Sequence, residues 1–257
     1  MKIYANGKIN LAIRVFPKAQ GEDKHEIDAI FVPYLKVFDV IEINKSKKDS
    51  FKLAGPFQKW VDVKKNTVIS AINLFRKKYD IKDKFNVVLT KNIPVQSGLG
   101  GPSSDAAFTL MYLADVYNVH KYDLLDIAIE IGSDVPFFFY NKIARVSGKG
   151  EKVQLINCEI EGKWEVAITQ DIHCSTKEIF NQFDKLNELE ICDIPSLVAY
   201  LERDKFEKFF TYAINMLEKP AFSLYPKLKL IKEELKRHFD FVVMTGSGSS
   251  FVVFHKV

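Results

Sequence analysis

Apolar and polar residues alternate from Lys2 to Val15, which predicts a strand over 2–15 with Ile9, Leu11, Ile13 and Val15 on one face. Lys8 and Asn10 lie two positions apart on it and share the opposite face. A second strand is predicted at 36–43 and a third at 85–90. Between them, Val68, Ile69, Ile72 and Phe75 recur at helical spacing behind Asn66 or Thr67 as cap, predicting a helix over 66–79. Ala106, Ala107, Leu110, Leu113 and Ala114 mark another helix that ends near Asn118. A further helix is expected at 123–131, broken at Gly132, then a turn and an aromatic strand through Tyr140. Downstream the pattern gives a β-run at 164–170, an amphipathic helix at 175–186 and helices at 203–217 and 224–238. A hairpin closes the chain: strand 240–244, glycine turn 246–248, strand 250–255. Mixed elements without strict βαβ alternation point to α+β layers. Weak periodicity and several turn residues make 142–165 the predicted boundary between two lobes.

The segment Ile93-Pro-Val-Gln-Ser-Gly-Leu-Gly-Gly-Pro-Ser-Ser-Asp-Ala-Ala107 carries the clearest chemical pattern. Gly98, Gly100 and Gly101 free the backbone for positive φ and close approach to a ligand. Ser103 and Ser104 are good cap residues ahead of the helix. A helix start with unpaired N–H groups suits a phosphate. The spacing matches neither a Walker A loop nor a dinucleotide fingerprint. A glycine-rich turn capping a core helix is the plainer alternative.

Three other segments set polar residues where a core has no use for them. Lys8 and Asn10 read as site residues or as the solvated face of an edge strand. Asp134, in Gly132-Ser-Asp-Val-Pro-Phe-Phe138, reads as a functional carboxylate or an ordinary Asx-turn. Met244-Thr-Gly-Ser-Gly-Ser-Ser250 reads as a second ligand loop or a plain hairpin.

Composition narrows the field without deciding it. At 257 residues the chain suffices for one large domain or two small ones. An apolar fraction of 47% is ample for a core, and the 21 Phe residues supply bulk to it. A net charge of +4 suits anionic substrates and is too small for a nucleic-acid-binding signature, so no nucleic-acid partner is expected. Cys158, Cys174 and Cys192 form no Cys-x-x-Cys pair, which favours a reducing compartment. The five His residues lack zinc spacing. No signal peptide or membrane-spanning run is visible, so a cytoplasmic protein without a membrane partner is expected.

Together the four segments resemble the GHMP kinase superfamily. Gly98-Leu-Gly-Gly-Pro-Ser-Ser-Asp-Ala-Ala is similar to its ATP-phosphate loop, Lys8-Ile-Asn-Leu to its N-terminal motif, and Thr245-Gly-Ser-Gly-Ser to its C-terminal glycine motif. His25 and Asp134-Val-Pro-Phe-Phe are similar to the branch acting on 4-diphosphocytidyl-2-C-methyl-D-erythritol. The resemblance implies a two-lobed α+β fold with the active site in the cleft between lobes. It implies an ATP-binding N-terminal domain at 1–150 and a C-terminal domain at 151–257. The implied reaction moves a phosphate from ATP, with Mg²⁺, to a hydroxyl of that substrate, a step of non-mevalonate isoprenoid biosynthesis. Phosphoryl transfer of this kind rests on positioning and charge stabilisation.

By the same resemblance Asp134 is the catalytic base, and Lys8 orients it and stabilises the transferring group. Gly98, Leu99, Gly100, Gly101, Ser103 and Ser104 hold the ATP phosphates, and Asn66 and Lys91 line the adenine pocket. Asn10, His25, Thr176 and Phe180 face the substrate, His25 reading cytosine and Phe180 stacking on it. The Mg²⁺ ligands are not specified, and the oligomer is a monomer or homodimer. Relatives acting on homoserine, mevalonate or a sugar, and a catalytically silent nucleotide-binding regulator, are the alternatives. The chain departs from the branch at Asp23-Lys-His25, where Gly-Tyr-His is usual and the Tyr completes an aromatic sandwich on cytosine. It departs again at Pro102, whose missing N–H removes one potential phosphate donor.

Overall fold

The computed structural model describes all residues except Asp23, 159–164, 170–171, 187–189 and 256–257. It is an α+β fold of two compact units. The first unit comprises Met1–Lys8, Pro33–Val95 and Gly100–Asn141; the second comprises Ile9–Val32, Gln96–Leu99 and Lys142–Val257. The units alternate along the sequence, and two long strands, β1 (Lys2–Val15) and β2 (Ile27–Ser46), contribute residues to both. β1 is buried on both faces from Ala5 to Ile13, so Lys8 and Asn10 do not form a solvated edge.

In the first unit β2 pairs antiparallel with β4 (Lys84–Thr90), Val40 opposite Thr90, and β4 pairs in parallel with β3 (Ser50–Ala54). Helix α1 (Thr67–Tyr79) starts where Asn66 accepts from the Val68 N–H and stops at Asp80 in the left-handed region. It lays Val68, Ala71, Ile72 and Phe75 against α2 (Gly101–Val116). Helix α3 (Leu125–Ile131) precedes α4 (Val135–Tyr140), which packs on α2. The aromatic run at α4 was expected as a strand. It is a helix because Val135 to Phe139 are buried all round, and a short continuous apolar run carries no periodicity to separate the two.

In the second unit the start of β2 pairs antiparallel with β5 (Ala144–Gly148), which forms a hairpin with β6 (Lys152–Leu155). The segment expected to be a boundary therefore holds sheet over much of its length; its residues 159–164 lie outside the described residues. β7 (Glu165–Ala167) pairs with β9 (Phe251–Phe254), and β9 with β8 (Phe241–Met244), all antiparallel. Helices α5 (Thr176–Phe183), α6 (Ile194–Leu201), α7 (Phe206–Tyr212), α8 (Glu218–Leu224) and α9 (Pro226–Leu235) complete it. The helix expected over 203–217 is the shorter α7, that over 224–238 is α9, and α8 between them had no sequence expectation. The apolar α6 had no sequence expectation. Among the described residues no helix is long and apolar enough to cross a membrane.

Candidate functional site

The glycine segment divides between the units, with Gly98 and Leu99 in the second and Gly100, Gly101, Ser103 and Ser104 in the first. Gly98 and Gly100 have φ of +79° and +70°, as a loop of this kind requires; Gly101 is already helical. The helix starts two residues before the expected serine caps. Gly100 is the N-cap, and Ser103 and Ser104 fall inside the first turns. Ser104 is fully buried and donates its hydroxyl to the Asn6 carbonyl at 2.6 Å. Ser103 is half-buried, and its hydroxyl has no partner among the described residues.

In the first unit Lys8 and Asp134 come together, Nζ 3.5 Å from Oδ2, with side-chain exposures of 3% and 30%. Burial pulls the Lys8 ammonium below the ordinary lysine range, and the Asp134 charge opposes that pull. Asp134 is held at the start of α4, whose first turn contains Pro136. A Cβ at Gly100 would stand 2.9 Å from Lys8 Cγ and 3.0 Å from Cε, so the glycine is what lets the lysine stem pass.

In the same unit a cavity of about 150 Å³ is lined by Trp60, Lys65, Asn66, Lys91, Pro102 and Asp105 among others. Asn66 spends its side-chain oxygen on capping α1. Lys91 lines the cavity, but its ammonium is taken by Asp39 and by Asp105, the latter at 2.6 Å. Asp39 also accepts from the Asn92 and Ile93 N–H groups at 2.6 and 2.8 Å. Burial opposes the Lys91 charge, and the two carboxylates outweigh it and raise its pKa. Burial pushes the Asp105 carboxyl up to about 7, Lys91 lowering it and Asp39 adding to the rise. Asp105 Oδ1 is buried without a hydrogen-bond partner. The sequence pattern assigns Asp105 no role; its place just past the loop on a buried helix face is the signal that marks it.

In the second unit Thr245, of the C-terminal glycine motif, joins two predicted segments. Its hydroxyl accepts from the Asn10 N–H at 2.9 Å and lies 3.3 Å from the Gly98 carbonyl. A Cβ on Gly98 would stand 2.0 Å from the Thr245 carbonyl oxygen, so packing alone demands that glycine. Leu99 is fully buried. Thr176 is exposed, and its hydroxyl lies 2.8 Å from that of Ser247.

His25 and Phe180 also meet, ring centroids 5.0 Å apart and tilted by 34°. His25 Nε2 lies 2.6 Å from Asp184 Oδ1, a partner the sequence did not suggest. Lys24 is exposed while His25 is turned inward. Among the described residues no three His, Cys, Asp or Glu side chains gather as a metal cage.

Comparison with known proteins follows the same lines. Residues 66–142 match the GHMP kinases N terminal domain. The chain is 32% identical over 247 residues to the 4-diphosphocytidyl-2-C-methyl-D-erythritol kinase of Bacillus subtilis (strain 168), covering 95% of this chain and 84% of the relative. It superposes on a crystal structure of 4-(cytidine 5'-diphospho)-2C-methyl-D-erythritol kinase with a TM-score of 0.79 at 26% identity, over 99% of this chain and 90% of that one. A homoserine kinase from Cytophaga hutchinsonii shares the fold, with a TM-score of 0.70 at 15% identity over 98% of this chain and 84% of that one.

Proposed function

The chain belongs to the 4-diphosphocytidyl-2-C-methyl-D-erythritol kinases of the GHMP superfamily, and from that premise we propose how its residues share the work. The reaction is transfer of the terminal phosphate of ATP to a hydroxyl of 4-diphosphocytidyl-2-C-methyl-D-erythritol, in non-mevalonate isoprenoid biosynthesis.

The observation that carries the reading is the Lys8–Asp134 pair. Asp134 accepts the proton of the attacking hydroxyl, and its partial exposure leaves it open to substrate. The Lys8 ammonium holds that carboxylate in place and offsets charge gathering on the transferred phosphate.

The nucleotide phosphates lie at the start of α2, where the left-handed Gly100 and the uncommitted Ser103 hydroxyl support contact with an anion. Ser104 acts through Asn6, holding β1 to the helix. Gly98 and Leu99 contribute backbone. Asn66 and Lys91 line the adenine cavity, and the orphaned Asp105 Oδ1 fits a ring bearing an amino group. Mg²⁺ accompanies the nucleotide and neutralises phosphate charge.

Asn10 and Thr176 face the substrate, and His25 with Phe180 receives its cytosine; their mutual contact supports that role. We read 1–150 as the ATP-binding module and 151–257 as the C-terminal module. The family match at 66–142 supports this, and the compact units cross the line because β1 and β2 run through both. A cytoplasmic monomer or homodimer completes the reading.

The test is ADP release from ATP and Mg²⁺ with the cytidyl substrate. Turnover is expected, and Asp134→Asn should reduce kcat by about 10²–10⁴-fold with the fold intact. Unchanged turnover in that variant would remove Asp134 as the base.

A further inference from the structure

Asp184, in the second unit, is a carboxylate that the proposed chemistry does not use. Asp184 caps the C-terminus of α5, four residues after Phe180, so the two lie on one face of the helix. Its Oδ1 is 2.6 Å from His25 Nε2, and its Oδ2 is 3.8 Å from Lys18 Nζ. The His25 side chain is 4% exposed. Phe180 leans over the ring at 34°, and Phe183 meets it edge-on at 5.7 Å and 88°. An exposed ion pair such as Lys18–Asp184 contributes little by itself. A short bond from a carboxylate to a buried imidazole is a different matter. Ionised, the carboxylate can only accept, so the hydrogen of that bond sits on Nε2, and in the neutral ring Nδ1 is then the acceptor.

We propose that Asp184 is a positioning residue that sets base specificity. By keeping the proton on His25 Nε2 it leaves Nδ1 with a lone pair, an acceptor for the exocyclic amino group of cytosine. Uracil carries a carbonyl oxygen at that position and would face acceptor with acceptor. The inference rests on the reading of His25 and Phe180 as the base site. It adds the source of selectivity, which becomes more important where Lys24 replaces the aromatic residue that would complete the sandwich.

The test uses the full chain labelled with ¹⁵N-histidine, together with kinetics on the cytidyl substrate and its uridine counterpart. Wild-type His25 is expected as the neutral Nε2–H tautomer. Asp184→Ala should mix the tautomers, raise KM for the cytidyl substrate about tenfold with little change in kcat, and narrow the cytosine-over-uracil preference by a similar factor. Asp184→Asn keeps the shape of the side chain and can donate to Nε2. It should favour the Nδ1–H form and move the preference further toward uracil, a shift that mere support of the helix would not produce. An imidazolium or Nδ1–H form in the wild type, or unchanged KM and tautomer in both variants, overturns the proposal. If those variants are silent while His25→Ala raises KM, Asp184 has no such role and the base site stands. If His25→Ala and Phe180→Ala are silent too, the base-site reading falls with it.

Discussion

Lys8 and Lys91 belong to the same unit and are buried to nearly the same degree, yet their surroundings drive them in opposite directions. Lys91 stands between Asp39 and Asp105, both out of solvent, and its charge is reinforced. Lys8 faces Asp134, which is partly exposed, at the longer distance of 3.5 Å, and burial weakens its charge. A lysine matched by carboxylates on both sides closes a structure. One whose burial outweighs the pull of its carboxylate retains electrostatic demand for an incoming anion, a mark of functional sites. Burial of a cation therefore says less than the balance around it.

The sharpest way to break the comparison is Lys91→Met. It strands two carboxylates beside the cavity lined by Asn66 and Lys91 and should destabilise the fold by about 3–5 kcal/mol, read as a lower denaturation midpoint. A midpoint equal to the wild type would remove the clasp from the account.

Lys8→Met should do the reverse. We expect kcat to fall on the order of 10²–10³-fold, with the denaturation midpoint unchanged or higher, since a buried charge whose burial outweighs its ion pair is gone. A stability loss rivalling that of Lys91→Met would make the two lysines equivalent.

The smallest effect lies in the pH profile. Because Lys8 in the folded protein gives up its proton below the ordinary lysine range, kcat/KM should decline as pH rises through that lowered value. Lys8→Arg should move the decline to higher pH in whatever activity it retains, because a guanidinium stays charged. Stability runs the other way: between the lowered folded value and the ordinary unfolded one the unfolded chain binds more protons, so this residue's contribution rises with pH. A limb unmoved by Lys8→Arg would assign it to another group.

Much of this was legible in the sequence where one face of an element is apolar and the other is not. Helix α1 and its Asn66 cap, α2 and the closing hairpin follow from spacing. The reading failed where burial is uniform. Val135 to Phe139 gave no period, and β2 begins at Ile27, nine residues before the expected start. In the site, glycines and the polar residues of known motifs stood out. Asp39, Asp105 and Asp184 did not, because each acts through a partner far away in sequence, 52, 14 and 159 residues distant. Carboxylates of that kind are ordinary residues until the chain has folded.

Gly100 carries a consequence for how this sequence can drift. A methyl group there would press on the Lys8 stem and come within 3.4 Å of Phe138, on a backbone whose φ of +70° already resists a side chain. Positions 8 and 100 are thus one heritable choice written in two places. A lineage that kept the lysine would have to keep the gap beside it, and one that shortened residue 8 would release only the steric half of the constraint on residue 100. The glycine records the length of a side chain 92 positions earlier as much as the shape of any phosphate.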